Sequence, residues 1–185
     1  MSEIIVVTGL PRSGTSLMMQ VLNKANLPIL QDGVRESDVS NPQGYYELED
    51  VKNIVIDNSF LDKAEGKVVK IVAPLPVYMK PKLSYKVVFM RRDLEEILRS
   101  QEKMLSKDQT SEREKYRTIY EFHLKKTYRF FKENNISWID INYNELMANP
   151  LVELKKVAEY LNLDASAVEL AEVVNPELYR NRNEG

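Results

Sequence analysis

Residues 9–16 carry the glycine spacing of a phosphate-binding loop, GxxxxGK[ST], between an apolar run and a helical pattern. Backbone N–H groups at the start of a helix bind anions, and glycines let the chain approach phosphate oxygens closely. Thr15 stands where nucleoside-triphosphate enzymes carry a lysine, and the basic side chain of the loop is instead Arg12. The spacing predicts an anion site here; the alternative is a plain strand–helix turn with incidental glycines.

The elements that must position this loop follow from the hydrophobic pattern. Apolar or alternating runs predict strands over residues 4–8, 67–72, 86–90 and 136–141. Helical spacing predicts helices over residues 14–25, 47–61, 93–106 and 110–134, and a further helix from Pro150. Strands that alternate with helices indicate an α/β fold: a P-loop-containing three-layer sandwich with a mostly parallel central sheet flanked by helices. We expect one domain over residues 1–185.

The composition excludes several classes of function. Net charge is −2, which argues against a nucleic-acid binder. The chain has no cysteine and one histidine, His123, which excludes disulfides, thiolate catalysis and metal sites built from cysteine or several histidines. No stretch approaches the roughly 20 apolar residues of a membrane span, and the first residues do not resemble a signal peptide. We therefore expect a cytoplasmic protein, and the oligomeric state stays open.

The loop sequence GLPRSGTSL resembles the 5′-phosphosulfate loop of sulfotransferases, above all the bacterial and protein-tyrosine branches, which carry PRSGT. The resemblance implies 3′-phosphoadenosine-5′-phosphosulfate as the sulfuryl donor and adenosine-3′,5′-bisphosphate as its product. It implies that Arg12 contacts the bridging oxygen between phosphate and sulfate. The residues implied to cradle the 5′-phosphate are Ser13, Gly14, Thr15 and Ser16.

A second segment, residues 86–100, is similar to the family's 3′-phosphate element, in which a strand ends in arginine and a serine follows eight residues later. Arg92 and Ser100 match that spacing, and Glu96 stands where the family often has aspartate. Leu94 replaces the family's usual proline. Without the resemblance, solvated surface is an equally good interpretation of Arg92 and Ser100.

A third segment, residues 141–163, is similar to the family's YEdL…P…FLgL stretch. The resemblance implies that Tyr143 lies near the adenine ring. The family often closes its cofactor pocket with a late arginine, for which Arg180 and Arg182 are weak candidates, because Asn181 interrupts the pattern.

Sulfuryl transfer needs cations near the leaving phosphate and a base for the acceptor proton. Lys70 lies in a stretch similar to the family's lysine-bearing strand, and we expect it to act with Arg12. Val72 stands where the cytosolic branch has its catalytic histidine. Glu47, in a stretch resembling NPxGYxE, is the candidate base, although it could equally open the next helix. His123 falls on the apolar stripe of its helix and is expected to be structural.

These features predict transfer of a sulfuryl group to a hydroxyl or amine of a small-molecule or glycan acceptor. Two alternatives stay open. A P-loop small-molecule or nucleotide kinase would need Mg²⁺ and the lysine that Thr15 replaces. A catalytically inactive nucleotide-binding protein of the same fold would bind the donor without turnover.

Overall fold

A computed structural model describes residues 3–34, 44–106 and 109–175. The strands are β1 (Ile4–Gly9), β2 (Val68–Lys70), β3 (Tyr85–Arg91) and β4 (Ser137–Asn142). The α-helices are α1 (Thr15–Lys24), α2 (Leu94–Leu105), α3 (Arg113–Glu133), α4 (Tyr143–Ala148), α5 (Pro150–Leu161) and α6 (Ala167–Ala171). Short 3₁₀ helices cover Glu49–Asn53, Ser59–Lys63, Leu75–Tyr78 and Thr110–Glu112.

The four strands form one parallel sheet in the order β2-β1-β3-β4. In β1, Ile5 lies opposite Val68 of β2 on one side and Lys86 of β3 on the other. The chain therefore leaves β1 toward one side of the sheet and later returns to its other side. In open α/β sheets, ligands bind where the strand order reverses in this way, beyond the carboxyl ends of the strands.

Helices cover both faces of the sheet, which gives three layers and confirms the expected fold class. Val7 and its neighbours on one face pack against α1, α4, α5 and α6, while Val6 on the other face packs with α3 and the 3₁₀ segments. Both valines are fully buried, as the unalternating apolar run of β1 predicts. A third cluster joins Leu10 and Ala73 to α2 and α3 at the carboxyl edge.

The predicted helix over residues 47–61 is wrong. Two 3₁₀ turns, Glu49–Asn53 and Ser59–Lys63, take its place. Asp57 interrupts the segment because its carboxylate accepts a hydrogen bond from the Ser59 N–H at 2.8 Å. Asp side chains that bond the nearby backbone in this way favour turns over helices.

Most other predicted elements are confirmed: α1, α2, α3 and β2 are shorter than predicted, whereas β1 and β3 are slightly longer. Helix α2 begins after Asp93, whose side chain accepts a hydrogen bond from the Glu96 N–H, and α5 begins at Pro150. The pattern missed α4 and α6, which are six and five residues long. Within the described ranges, no helix has both the length and the apolar character needed to cross a membrane.

Candidate functional site

Most of the predicted site residues lie at or just after the carboxyl end of a strand; Glu47 and Ser100 are the exceptions within the described ranges. Residues 10–16 follow β1, Lys70 ends β2, Arg92 follows β3 and Tyr143 follows β4. Because the strands are parallel, these ends share one edge of the sheet. Ser100 lies on α2, one helix beyond the end of β3.

The loop after β1 turns sharply before α1. Gly14 occupies the N-cap position of α1 with a φ of 98°, and Arg12 has a φ of 68°. The Ser13 N–H donates to the Leu10 carbonyl at 3.1 Å, which closes the turn. A Cβ on Gly14 would overlap the Tyr143 ring, so the loop is in direct contact with the segment after β4. Glycine is required at this position for both its conformation and its size.

The loop has the features of an anion site. Helix α1 is ten residues long, and its first N–H groups have no partner within the helix. The Ser13 side chain is buried, 1% exposed, and its Oγ has no hydrogen-bond partner in the protein. Buried hydroxyls normally have a partner, so this one suits a bound ligand or water. A phosphate group could be held here.

Arg92 and Ser100 both bind the loop itself. The Arg92 Nη1 donates to the Arg12 carbonyl at 3.0 Å, and the Arg12 Nε donates to the Ser100 Oγ at 3.1 Å. Ser100 is only 3% exposed. Neither Arg92 nor Ser100 is therefore solvated surface, and the two predicted phosphate-binding segments are joined across the reversal point of the sheet.

Glu96 holds Arg92 in this position. The Arg92 Nε donates to one Glu96 oxygen at 3.0 Å, and the Asn144 Nδ2 donates to the other at 2.9 Å. The ion pair is closed to solvent, because the Arg92 and Glu96 side chains are 6% and 2% exposed. The i,i+4 spacing of Arg92 and Glu96 was visible in the sequence, whereas the contact with Asn144 was not.

Tyr143 completes this side of the site. The Asn142 side chain caps α4 by accepting hydrogen bonds from the Asn144 and Glu145 N–H groups, which places Tyr143 in the first turn. The Arg92 guanidinium lies 4.4 Å from the centre of the Tyr143 ring, a cation–π geometry. Burial raises the pKa of the Tyr143 hydroxyl, and the nearby Arg92 opposes that rise. The phenol therefore stays neutral at physiological pH.

Lys70 lies on the other side of the loop. It is 5% exposed, at the end of β2. Its Nζ lies 3.4 Å from the Ser16 Oγ and 3.1 Å from a Glu47 oxygen, and it also donates to the Tyr45 carbonyl. A buried ammonium requires such partners. The structure thus brings Lys70, Ser16 and Glu47 together.

Glu47 does not begin a helix. It lies in the non-helical segment 44–48, and the following 3₁₀ turn has Leu48 at its N-cap position. The Asp32 N–H donates to the Glu47 carbonyl at 3.3 Å, and an Asp32 oxygen accepts from the Glu49 N–H at 2.5 Å. These contacts fix the backbone that follows the Glu47 side chain, which is 24% exposed.

The three remaining sequence candidates are His123, Arg180 and Arg182. His123 is half-buried on α3, with its ring 6.5 Å from the Tyr120 ring and 6.3 Å from that of Phe122. Burial lowers the pKa of its imidazole. Arg180 and Arg182 lie outside the described residues, as does the beginning of the NPxGYxE stretch.

The arrangement offers two guanidinium groups, one ammonium and one partly exposed carboxylate around a helix N-terminus. Such a site could bind an elongated polyanion, neutralise charge on it and accept a proton beside it. In the described ranges, no cluster of three or more histidine, aspartate or glutamate side chains is arranged to hold a metal ion.

Comparison with known proteins finds no matching family model and no matching curated protein. Solved structures do match. The sulfotransferase domain of the Synechococcus PCC 7002 olefin synthase superposes with a TM-score of 0.57 at 15% identity, over 98% of this chain and 88% of that one. The sulfotransferase domain of the curacin biosynthetic pathway gives 0.51 at 14% identity, over 95% and 78%.

A sugar kinase from Janibacter sp. HTCC2649 also matches, at 12% identity over 95% of this chain and 99% of that one, but its TM-score of 0.41 is too low to support an argument. Identities of 14% and 15% with the two sulfotransferase domains show a shared architecture and leave the chemistry open. The chain has a sulfotransferase-like α/β fold.

Proposed function

We propose that the protein is a sulfotransferase that moves a sulfuryl group from 3′-phosphoadenosine-5′-phosphosulfate to a hydroxyl or amine of a small-molecule or glycan acceptor. One observation carries this proposal. The loop suited to a 5′-phosphate and the segment suited to a 3′-phosphate are in direct contact through Arg12, Arg92 and Ser100. A nucleotide with phosphates at both positions needs two such anion sites close together.

The residues present fit this donor. Residues 13–16 and the N-terminus of α1 would hold the 5′-phosphate, and the buried Ser13 hydroxyl supplies an otherwise unpartnered donor there. Arg92 and Ser100 would hold the 3′-phosphate. The Tyr143 ring, already against Arg92 and Gly14, would lie near the adenine.

The bound donor supplies a sulfuryl group on a phosphate leaving group. Arg12 and Lys70 would stabilise the negative charge that develops there, since Lys70 Nζ lies beside Ser16 in the first turn of α1. Glu47 would accept the acceptor's proton at its carboxylate, which is partly open to solvent. Its ion pair with Lys70 holds the carboxylate next to the same helix terminus.

The kinase alternative rests on one observation. Lys70 reaches the loop from β2 and could supply the ammonium that Thr15 does not. Phosphoryl transfer by such enzymes requires Mg²⁺, so nucleotide preference separates the two functions. An inactive nucleotide-binding protein would bind the sulfuryl donor without turning it over.

The test is a calorimetric titration with adenosine-3′,5′-bisphosphate, and then with ATP and Mg²⁺. We expect metal-independent binding of the bisphosphate and a loss of about 30-fold or more in affinity in Arg92→Ala, because a charge-assisted contact disappears. Arg91→Ala is the matched control: Arg91 is exposed and donates to the Tyr128 hydroxyl instead. Preference for Mg·ATP would contradict the sulfotransferase proposal and favour the kinase. Binding of neither nucleotide would contradict both functions.

A further inference from the structure

Besides its expected contact with the 3′-phosphate, Arg92 binds the backbone of the phosphate loop. Its Nη1 donates to the carbonyl of Arg12, a residue in the left-handed region at φ 68°. Non-glycine residues adopt this conformation at a cost, so a fixed hydrogen bond at that carbonyl helps to hold it. The guanidinium therefore supports the shape of the loop without any ligand.

Glu96 determines where that guanidinium lies. One carboxylate oxygen accepts from Arg92 Nε and the other from Asn144 Nδ2, at 3.0 and 2.9 Å. The backbone N–H of Glu96 donates to Asp93, which fixes the residue in the first turn of α2. A planar guanidinium bound at Nε and Nη1 and stacked on a ring is fixed in direction as well as position.

The same carboxylate links the loop to the segment after β4. Asn144 directly follows Tyr143, whose ring lies under Arg92 and against Gly14. Glu96 thus acts on the loop at two points: at Arg12 through Arg92, and at Gly14 through Tyr143. With its side chain 2% exposed, solvent cannot replace these contacts.

We propose that Glu96 is a positioning residue for the phosphate loop, so that the segment expected to read the 3′-phosphate also sets affinity at the 5′ end of the nucleotide. The inference rests on the proposed function for the identity of the ligand. It differs from that function in its expected effect, because a residue that served only the 3′-phosphate would not influence a ligand that lacks one.

The test compares adenosine-3′,5′-bisphosphate with adenosine 5′-phosphosulfate, which has the complete 5′ end and no 3′-phosphate. We expect Glu96→Gln to weaken binding of the 5′-phosphosulfate about tenfold, because the loop is no longer held in shape. Asn144→Ala should weaken it about threefold, since it removes the hydrogen bond that Asn144 donates to the carboxylate. The bisphosphate should lose at least as much affinity in each variant.

Glu95→Gln is the matched control. Glu95 lies on the same turn of α2, but its carboxylate pairs with Arg113 and Arg117 of α3 and not with the loop. We expect both affinities in this variant to equal those of the wild type. Thermal unfolding of all variants establishes that each is folded at the temperature of the titration.

A second measurement needs no ligand. Amide hydrogen exchange in residues 9–16 should be faster in Glu96→Gln than in Glu95→Gln, because the Ser13 N–H bond to Leu10 closes the supported turn. Unchanged exchange in this loop of Glu96→Gln would overturn the inference. If the wild type binds the 5′-phosphosulfate, an unchanged affinity for it in Glu96→Gln would overturn the inference as well. If the wild type binds neither nucleotide, the proposed function is contradicted instead. The hydrogen-exchange result alone then decides the inference about Glu96.

Discussion

Two ion pairs of the same chemical kind flank the phosphate loop. Arg92 and Glu96 lie four residues apart, and their side chains are 6% and 2% exposed. Lys70 and Glu47 come from separate segments, and although the Lys70 side chain is only 3% exposed, that of Glu47 is 24% exposed. The first pair is closed to solvent on both sides, whereas the second opens on its acidic side.

The difference in exposure indicates different roles for the two ion pairs. A closed pair with further hydrogen bonds to Arg12 and Asn144 is suited to fixing geometry. A carboxylate that solvent can reach, held beside an ammonium at the start of α1, is suited to meeting an acceptor. If this contrast is correct, variants of the first pair change nucleotide affinity, and variants of the second change turnover.

Lys70→Met should have the largest effect. We expect turnover to fall about 10³-fold, because a preorganised cation next to Ser16 is lost, with bisphosphate affinity changed far less. The measurement is the rate at which adenosine-3′,5′-bisphosphate is released from the sulfuryl donor with an acceptor that the wild type uses. A rate near that of the wild type would show that Lys70 has no catalytic role and would contradict the proposed difference between the two ion pairs.

Glu47→Gln should lower turnover about 10²-fold, the lower end of what a general base contributes. Because the side chain contacts Lys70 at the end of β2, whereas Arg92 follows β3 on the other side of β1, calorimetry should give a bisphosphate affinity close to that of the wild type. Reduced affinity with normal turnover would reverse the roles of the two pairs.

His123→Gln should have the smallest effect. We expect turnover within about twofold of the wild type, since the ring lies beside Tyr120 and Phe122 on α3. The same variant tests the titration of His123. Its folded-state pKa is lowered by burial, so the unfolded chain takes up the proton first as pH falls below about 6.5.

The wild type should therefore lose stability between pH 7.5 and 5.5 to a greater extent than His123→Gln. Urea unfolding at the two pH values measures this difference. An equal loss in both proteins would show that the imidazole titrates normally, and a large loss of turnover in His123→Gln would make it a rival to Glu47 as the base.

The loop and its strand could be predicted from the sequence because both are local. The spacing of Gly9 and Gly14 and the buried run of β1 lie within a few residues of each other. The same holds for the Asp93 cap and the start of α5 at Pro150. Each of these features depends on the conformational preferences of neighbouring residues.

The contacts that give the site its form depend on strand order, which no local pattern contains. Arg12 contacts Ser100 because β1 lies next to β3, and Lys70 contacts Ser16 because β1 also lies next to β2. The wrong helix over residues 47–61 has a similar cause. Its apolar residues suit a helix, but short 3₁₀ turns packed against the sheet bury Val51 and Phe60 instead.

The pairing of β1 also has a consequence for folding kinetics. Ile5 pairs with Val68 and with Lys86, so the central strand acquires its neighbours only after long chain segments have closed. Sheets built from such distant pairings form slowly compared with helical hairpins. The phosphate loop receives its supporting contacts from beyond β3, so during refolding we expect nucleotide binding to appear with the last cooperative phase and not with early helix formation.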